Sequence, residues 1–242
     1  MNGSQDPTSS DLDGANVING CSPGPSNDEH RHHGDAPLQL DQEWANALTH
    51  GIGAVGSLLL GIHLVIAALP KGTGLAVACA VYALSVVGTF VASTLSHIVR
   101  RQPLLDQMRA WDQAMIYTMI SGTYTPIAYY FASETTRTPL LWAIWIAAAI
   151  GFLHKVAFKH RVNSIGTISY LLLGWLPAIP LAPHVPDSLV KAMFAGGVIY
   201  TIGVVFLVND GKLRYLHAGW HVAVMAGAAC HYLGILWYIV NA

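Results

Sequence analysis

Seven long apolar runs, separated by short polar stretches, fill most of this chain of 242 residues. Each run approaches or exceeds the roughly 20 consecutive apolar residues that a helix needs to cross the hydrocarbon core of a bilayer. The intervening stretches carry Pro, Gly and charged residues, which end helices and favour the membrane surface. The pattern predicts an all-α membrane protein, a bundle of seven transmembrane helices. The runs cover approximately residues 46–69, 75–99, 111–131, 139–158, 165–181, 189–208 and 215–240.

Composition also favours a membrane environment. Hydrophobic residues make up 53 % of the chain and charged residues only 10 %, whereas charged residues make up about 25 % of an ordinary soluble domain. Of the 13 acidic residues, eight lie at or before Glu43. The first part of the chain has no apolar segment of a secretory signal and is too polar to fold alone. We therefore predict a disordered polar N-terminal tail over 1–42 and a transmembrane domain over 43–242.

Lys and Arg are distributed unequally between the two sides of the predicted bundle. Nine of the twelve lie on the side of the N-terminus and three on the other side. Since cytoplasmic loops carry the excess of Lys and Arg, the count predicts a cytoplasmic N-terminus. Seven crossings then place the C-terminus outside. We expect a multi-pass protein of the plasma (inner) membrane.

Charge and cysteine usage exclude several classes of function. Basic residues occur singly or in pairs and do not form the clustered basic face that nucleic-acid binding requires. Cys21, Cys79 and Cys230 show no CxxC spacing, so neither a disulfide framework nor a thiolate zinc site is indicated. No internal repeat of the kind common in secondary transporters is evident. The sequence indicates no soluble protein partner and does not specify an oligomeric state.

Ionisable and hydroxyl side chains inside the predicted helices form the strongest functional signal. Ser93 and His97 are one helical turn apart, as are His217 and His221, so each pair shares a helix face. Asp112 is the only carboxylate within the seven apolar runs. In the predicted topology His97, Asp112, His217 and His221 all lie close to the cytoplasmic side. Ionisable groups inside a membrane are costly and mark a functional site by default.

Three imidazoles and a carboxylate at one depth match a catalytic type of zinc site. Three histidine nitrogens hold the metal, a fourth position is open to water, and a carboxylate holds that water. Ser93 would support the water or a substrate oxygen. The alternatives are that the histidines are hydrogen-bonded packing residues, that Asp112 only complements the helix dipole, and that Ser93 bonds back to a carbonyl one turn earlier.

Further polar residues lie on the first and last helices. Glu43, Asn46 and His50 recur at spacings of three and four on one face of the first helix. They are either an ordinary helix start or residues that support the metal site or gate the substrate. His63 and His231 lie farther along the first and last helices, and we interpret both as polar packing residues or as cavity lining.

These motifs, taken in order, resemble the progestin and adipoQ receptor family, and within it the bacterial hemolysin III-like branch. Each motif is weak alone, but together they are specific, and they extend from Glu43 to the end of the chain. The motifs are ExxNxxxH as Glu43-Trp-Ala-Asn46-Ala-Leu-Thr-His50, SxxxH as Ser93-Thr-Leu-Ser-His97, Trp111-Asp112-Gln113 followed by Ser121-Gly-Thr-Tyr-Thr-Pro126, and HxxxH as His217-Ala-Gly-Trp-His221.

The resemblance implies that His97, His217 and His221 carry Zn²⁺, that Asp112 holds the zinc-bound water, and that Ser93 lies nearby. It also implies a relation to ceramidases, and hence a zinc-dependent hydrolase that cleaves an amide or ester in a membrane lipid. The second hypothesis is a sensor of membrane state, or receptor-like protein, in which zinc has a structural role. A third is ion or proton translocation along His50, His63 and His231. Gln113 stands where relatives often have His or Tyr.

Overall fold

The computed structural model describes residues 39–158 and 164–242, and the regular structure in these residues is helical throughout. Most of the predicted tail, residues 1–38, lies outside the described residues. The α-helices are α1 Leu40–Ala68, α2 Thr73–Ile98, α3 Leu104–Phe131, α4 Glu134–Phe158, α5 Ser164–Trp175, α6 Ala178–Leu181, α7 Asp187–Val208 and α8 Leu216–Ile235. Short 3-10 turns follow α1 and α6, and a π-helical turn follows α8.

In the part of the chain that the structure describes, six segments are long and apolar enough to cross a membrane. They correspond to α1, α2, α4, α5 with α6, α7, and α8 with its π-helical turn. The chain is therefore a multi-pass integral membrane protein. Of the seven predicted runs, the third gives a helix in the expected place, α3, which is not among these six segments. The first part of α3 carries Asp106, Arg109 and Asp112, and the uncharged remainder is rich in tyrosine and hydroxyl residues, which lower its hydropathy.

Proline explains why the fifth run is broken. We predicted one continuous run over 165–181, but α5 ends at Trp175 and α6 begins at Ala178. Pro177 lies between them, and proline lacks the N–H that would continue the helical hydrogen bonds. Pro186 then precedes α7, which begins at Asp187. This interrupted wall borders an apolar cavity inside the bundle.

The helices pack mainly against their neighbours in sequence, and α8 closes the bundle against α1. α3 is central, because it contacts α2, α4, α5 and α8. One close approach depends on glycine: a Cβ added at Gly122 of α3 would lie 1.9 Å from Ser85 Oγ and 2.7 Å from Ser85 Cβ on α2. Small residues at such crossings let membrane helices approach closely.

Burial in this bundle is the reverse of burial in a soluble protein. Large apolar side chains of α1 point outward, among them Trp44 (61 % exposed) and Leu59 (63 %). Polar residues are buried, because the bundle interior is where a membrane protein can satisfy them. The buried polar residues described are Asn46, His50, Ser85, Thr89, Ser93, Ser96, His97, Ser121, Thr123, Lys155, His221 and His231.

Candidate metal centre

Three histidines meet at the end of the bundle where α1 begins and α2 ends, which we call the α1 end. The ligand-capable atoms of His97, His217 and His221 all lie within 4.8 Å of one another. The ring centroids of His97 lie 5.1 Å from those of both other histidines. His217 and His221 face the same way because one turn of α8 separates them. The three residues predicted as metal ligands therefore form one cluster that joins α2 to α8.

Carboxylates orient two of these rings. The Nδ1–H of His97 donates to Oε2 of Glu43 at 2.6 Å, and the Nδ1–H of His217 donates to Oδ2 of Asp210 at 3.0 Å. Arg109 lies 3.8 Å from the other oxygen of Glu43. Because a carboxylate accepts at Nδ1, the neutral ring keeps its lone pair at Nε2. Carboxylate–histidine pairs of this kind are usual behind metal-bound histidines.

The third ring is oriented by α1. His221 Nδ1 lies 3.1 Å from the backbone carbonyl oxygen of Asn46 and 3.1 Å from Thr49 Oγ1. The Thr49 hydroxyl donates to carbonyl oxygens one turn earlier, so its oxygen is an acceptor for the imidazole. His221 is thus a donor at Nδ1 as well. All three histidines have the same tautomer, with Nε2 as the free acceptor.

Buried polar atoms at the cluster indicate that a ligand is needed there. His97 Nε2 is buried and has no hydrogen-bond partner among the described residues. A buried unpaired acceptor costs free energy, and a metal ion would relieve that cost. Neutral imidazole nitrogens in a set of three are also the donors of open metal sites. The residues present therefore fit a metal ion.

Asp112 lies beside this cluster but is held by a serine that we did not predict. Ser96 Oγ lies 3.0 Å from Asp112 Oδ2 and 2.8 Å from the backbone oxygen of Ser93. Asp112 lines one small polar chamber together with His97 and His217. Ser93, predicted to support the water or substrate, has a buried Oγ that forms no hydrogen bond to any residue that the structure describes. The contact to Asp112 comes instead from the residue just before His97.

The α1 residues occupy three different places around the cluster. Glu43 contacts His97, and Asn46 reaches His221 through its backbone. His50 stacks on His221, with ring centroids 3.6 Å apart and planes inclined by 12°. Both nitrogens of His50 are buried without a hydrogen-bond partner in the part of the chain that the structure describes, and its ring lines an apolar cavity inside the bundle. These three residues surround the clustered histidines, at positions suited to supporting or gating a site there.

The more distant histidines do not join the cluster. His63 Nδ1 lies 2.9 Å from the Tyr232 hydroxyl, and His63 is exposed on the outer face of α1. His231 Nε2 lies 3.2 Å from the backbone oxygen of Met193, and His231 lines the same apolar cavity as His50. Both positions agree with their interpretation as packing or cavity-lining residues.

Sequence reasoning missed Asp210, Ser96 and Thr49. Asp210 is one of the few acidic residues after the tail and precedes the first histidine of α8 by seven residues, so its position could have suggested a partner. Ser96 and Thr49 carry no comparable signal, because hydroxyl residues are common in these helices. Their roles depend on how the helices are rotated against one another.

An apolar cavity of about 190 Å³ extends from the residues beside the cluster towards the opposite end of the bundle. His50 and Asp112 line it at the α1 end, and Leu181 and Val185 line it near the other end. Its walls come mainly from α3, α5, α7 and α8. An apolar cavity of about 150 Å³ can stay dry and take up a hydrocarbon ligand. This cavity therefore suits an apolar chain whose polar end faces the histidines.

Sequence comparison finds relatives over most of the chain. The family model described as Haemolysin-III related matches residues 38–232. Hemolysin-3 from Bacillus cereus is 35 % identical over 209 residues, which cover 83 % of this chain and 93 % of that protein. The Hemolysin-3 homolog of Bacillus subtilis (strain 168) is 32 % identical over 206 residues, 84 % of this chain and 96 % of that protein. The Monocyte to macrophage differentiation factor of Homo sapiens is 28 % identical over 164 residues, 66 % of this chain and 69 % of that protein.

Proposed function

Since the chain belongs to the haemolysin-III-related family, we propose that it is a zinc-binding membrane protein that hydrolyses an amide or ester bond in a membrane lipid. One observation carries this proposal: an apolar cavity ends at Asp112 and His50, and both of these residues adjoin the three clustered histidines. A lipid chain in that cavity would place its amide or ester linkage beside these groups. Among the described residues, no other part of the interior combines three histidines with a carboxylate.

The proposal includes seven membrane crossings, with the N-terminus in the cytoplasm and the C-terminus outside. α3 would be the remaining crossing. Its 28 residues span about 42 Å at roughly 1.5 Å per residue, which exceeds the roughly 30 Å of the hydrocarbon core. A helix surrounded by other helices can be polar without exposing polar groups to lipid. The excess of Lys and Arg on the α1 end would put the candidate metal centre near the cytoplasm.

Zn²⁺ is the metal we propose, held by Nε2 of His97, His217 and His221. When bound to three histidines, zinc acts as a Lewis acid that polarises a carbonyl and activates a water. Glu43 and Asp210 keep two of the rings oriented and make them better donors. His221 is held by α1 in the same way.

Asp112 is the proposed general base and acid. It would take a proton from the attacking water as the water oxygen bonds to the carbonyl carbon. It would then pass that proton to the departing nitrogen or oxygen as the carbon–nitrogen or carbon–oxygen bond breaks. Ser96, 3.0 Å from Oδ2, would keep the carboxylate in place through both steps. The apolar residues that line the cavity would exclude bulk water from the lipid chain.

Lipid would enter sideways between α5 and α7. Phe194 of α7 is 59 % exposed on the outside of the bundle and also lines the apolar cavity. Its ring meets that of Trp175 of α5 edge-on, with centroids 5.6 Å apart. Because these two rings meet only through their side chains, they can separate more easily than two helices that pack along their length.

The first test is the metal content of the purified protein in detergent, measured by elemental mass spectrometry. We expect about one zinc per chain in the wild type, and its loss in His97→Ala and His217→Ala. His184→Ala is the matched control, because His184 is exposed at the opposite end of the bundle. Turnover of N-acyl and O-acyl lipid substrates should disappear in the same two variants. Intact turnover in His217→Ala would contradict the proposal.

A structural zinc site in a sensor of membrane state is the second candidate. The observation that favours it is that the histidine cluster ties α2 to α8, so metal binding would stabilise the bundle without chemistry. This candidate predicts that Asp112→Asn keeps folding and function, whereas His97→Ala destabilises the bundle. Lipid hydrolysis at a rate that depends on Asp112 would argue against it.

A further inference from the structure

Lys155 is the most unusual charged residue in the described bundle. It lies in α4, most of whose residues face outward, yet it is only 2 % exposed. It is also close to the end of the helix, where a lysine can extend its ammonium group to the membrane surface. Its side chain turns into the bundle instead. Burying a charge in this way is costly, and such residues mark functional sites.

Two neighbouring helices hold the ammonium group in place. Lys155 Nζ donates to Gln113 Oε1 of α3 at 2.9 Å and lies 5.8 Å from the ring centroid of Tyr170 of α5. The Tyr170 hydroxyl donates to the backbone oxygen of Gln113 at 3.1 Å. Because an ammonium group can only donate, this contact fixes Oε1 of Gln113 towards Lys155. The amino group of the Gln113 amide therefore points away from Lys155 as a further donor.

Lys155 and Gln113 share a chamber with the candidate metal centre. The chamber has a volume of about 40 Å³, and a cavity needs roughly 10–15 Å³ of such space to hold one water. It is therefore too small for a lipid chain and has room for a small polar group. Residues that line it include Ser96, His97, Arg109, Asp112, Lys155 and His217. Asp112 and Tyr170 line both this chamber and the apolar cavity, so the two spaces adjoin.

The chamber therefore combines donor groups at the point where a lipid chain would end. Lys155 and Arg109 contribute positive charge, Arg109 also lies 3.8 Å from Glu43 Oε1, and Gln113 contributes an amide donor. Two carboxylates line the chamber as well, where Asp112 contacts Ser96 and Asp210 contacts His217. Charged donors that converge in a low-dielectric space are suited to anionic oxygens.

We propose that Lys155, with Gln113 and Arg109, binds the anionic oxygens of a single-chain lipid whose chain occupies the apolar cavity. This inference rests on the proposed function in one respect: a carboxylate is what amide or ester hydrolysis would release at the neighbouring centre. The phosphate of a lipid headgroup has the same chemistry and is the alternative source. Lys155 acts here as a specificity-determining residue.

The test is equilibrium binding of three probes with the same twelve-carbon chain to the zinc-loaded protein in nanodiscs. The probes are laurate, dodecyl phosphate and dodecanol, and binding is followed by tryptophan fluorescence. We expect the wild type to bind laurate at least about tenfold more tightly than dodecanol, since hydrogen bonds to charged groups are the stronger ones. Lys155→Met should lose most of this preference, and Lys155→Arg should retain it. Affinity for dodecanol should be equal in all three proteins.

The dodecanol measurement and the zinc content show whether Lys155→Met is folded, and Lys155→Gln provides a second neutral variant. A preference for dodecyl phosphate alone, lost in both neutral variants, would support the anion site and assign it to a phosphate headgroup. An unchanged preference for laurate in Lys155→Met, or no preference for either anion in the wild type, would overturn the inference. Binding requires no turnover, so failure of lipid hydrolysis with intact charge preference would overturn only the proposed hydrolase activity.

Discussion

At the candidate metal centre, the groups that contact Nδ1 are not the same for the three histidines. His97 has a largely buried carboxylate, His217 has a partly exposed carboxylate, and His221 has a backbone carbonyl and a hydroxyl. Glu43 is 15 % exposed and Asp210 is 36 % exposed. Since solvent screens charge interactions, the two carboxylates should not contribute equally to metal affinity.

We expect Glu43→Gln to weaken zinc binding about 10- to 100-fold, the usual effect of losing a carboxylate behind a metal-bound histidine. Asp210→Asn should weaken it less, because its contact with His217 is closer to solvent. The measurement is competition with a chromogenic chelator. Equal affinities for wild type and Glu43→Gln would show that the Glu43–His97 contact does not support a metal.

Asp112→Asn should keep zinc and lower the rate of lipid hydrolysis by about 10²- to 10⁴-fold, because the amide cannot accept the proton of the attacking water. Ser96→Ala should lower the rate less, since it removes one hydrogen bond and leaves the carboxylate. The kcat values of both variants, with their zinc contents, provide the check. A larger effect from Ser96→Ala than from Asp112→Asn would reverse the proposed roles.

The sequence could predict which histidines meet, and it indicated Glu43 and Asn46 as supporting residues, but it did not indicate the other oxygens that contact the site. The shared face of His217 and His221 follows from helix periodicity, and the common depth of His97 follows from the predicted topology. Ser93 shares the face of His97 and was the natural choice for a supporting hydroxyl. Ser96 is rotated by about 100° from His97 and thereby reaches Asp112 on α3, a contact that depends on where α3 packs.

Among the helices, α3 differs most from the pattern predicted for it. It was expected to begin near residue 111 and begins at Leu104, so its first two turns carry Asp106 and Arg109. A hydropathy pattern detects helices that face lipid and detects poorly those that other helices surround. The proline-interrupted pair α5 and α6 could be anticipated as a weak point, but not as a cavity wall.

The α2–α3 crossing gives a prediction for stability. Gly122→Ala should destabilise the protein by about 1–3 kcal/mol, because its Cβ would overlap the Ser85 side chain at the helix contact. Gly56→Ala is the matched control on α1, where an added Cβ has nothing within 4 Å. Thermal unfolding in one detergent compares the two variants. Equal unfolding temperatures would show that the helices separate readily at this crossing.

For the whole molecule, the sequence correctly predicted an all-helical, multi-pass protein of the plasma membrane and its membership of the hemolysin III-like branch. Hydropathy and motif order depend on residues close in sequence, which is why they sufficed. The 190 Å³ cavity depends on gaps between helices far apart in sequence. No periodicity encodes such gaps, so the cavity could only be seen in the structure.

The number of crossings can be measured directly. Seven crossings put the two termini on opposite sides, and six put them on the same side. We expect alkaline phosphatase fused after Ala242 to be active and a green fluorescent protein fused there to be dark, because both report an external C-terminus. The reverse result would mean that α3 does not cross the membrane.

Because the three histidines are divided between α2 and α8, the proposed metal binding would make metal supply a component of thermodynamic stability. A metal ion that binds the assembled helices and not the separated ones stabilises the fold by about 4.1 kcal/mol when its free concentration is 1,000 times its dissociation constant. The unfolding temperature should therefore rise with the logarithm of free zinc. Removal of the metal by a chelator would loosen the contact between α2, which is synthesised early, and α8, which is synthesised late. The bundle would then close fully only where the metal is available.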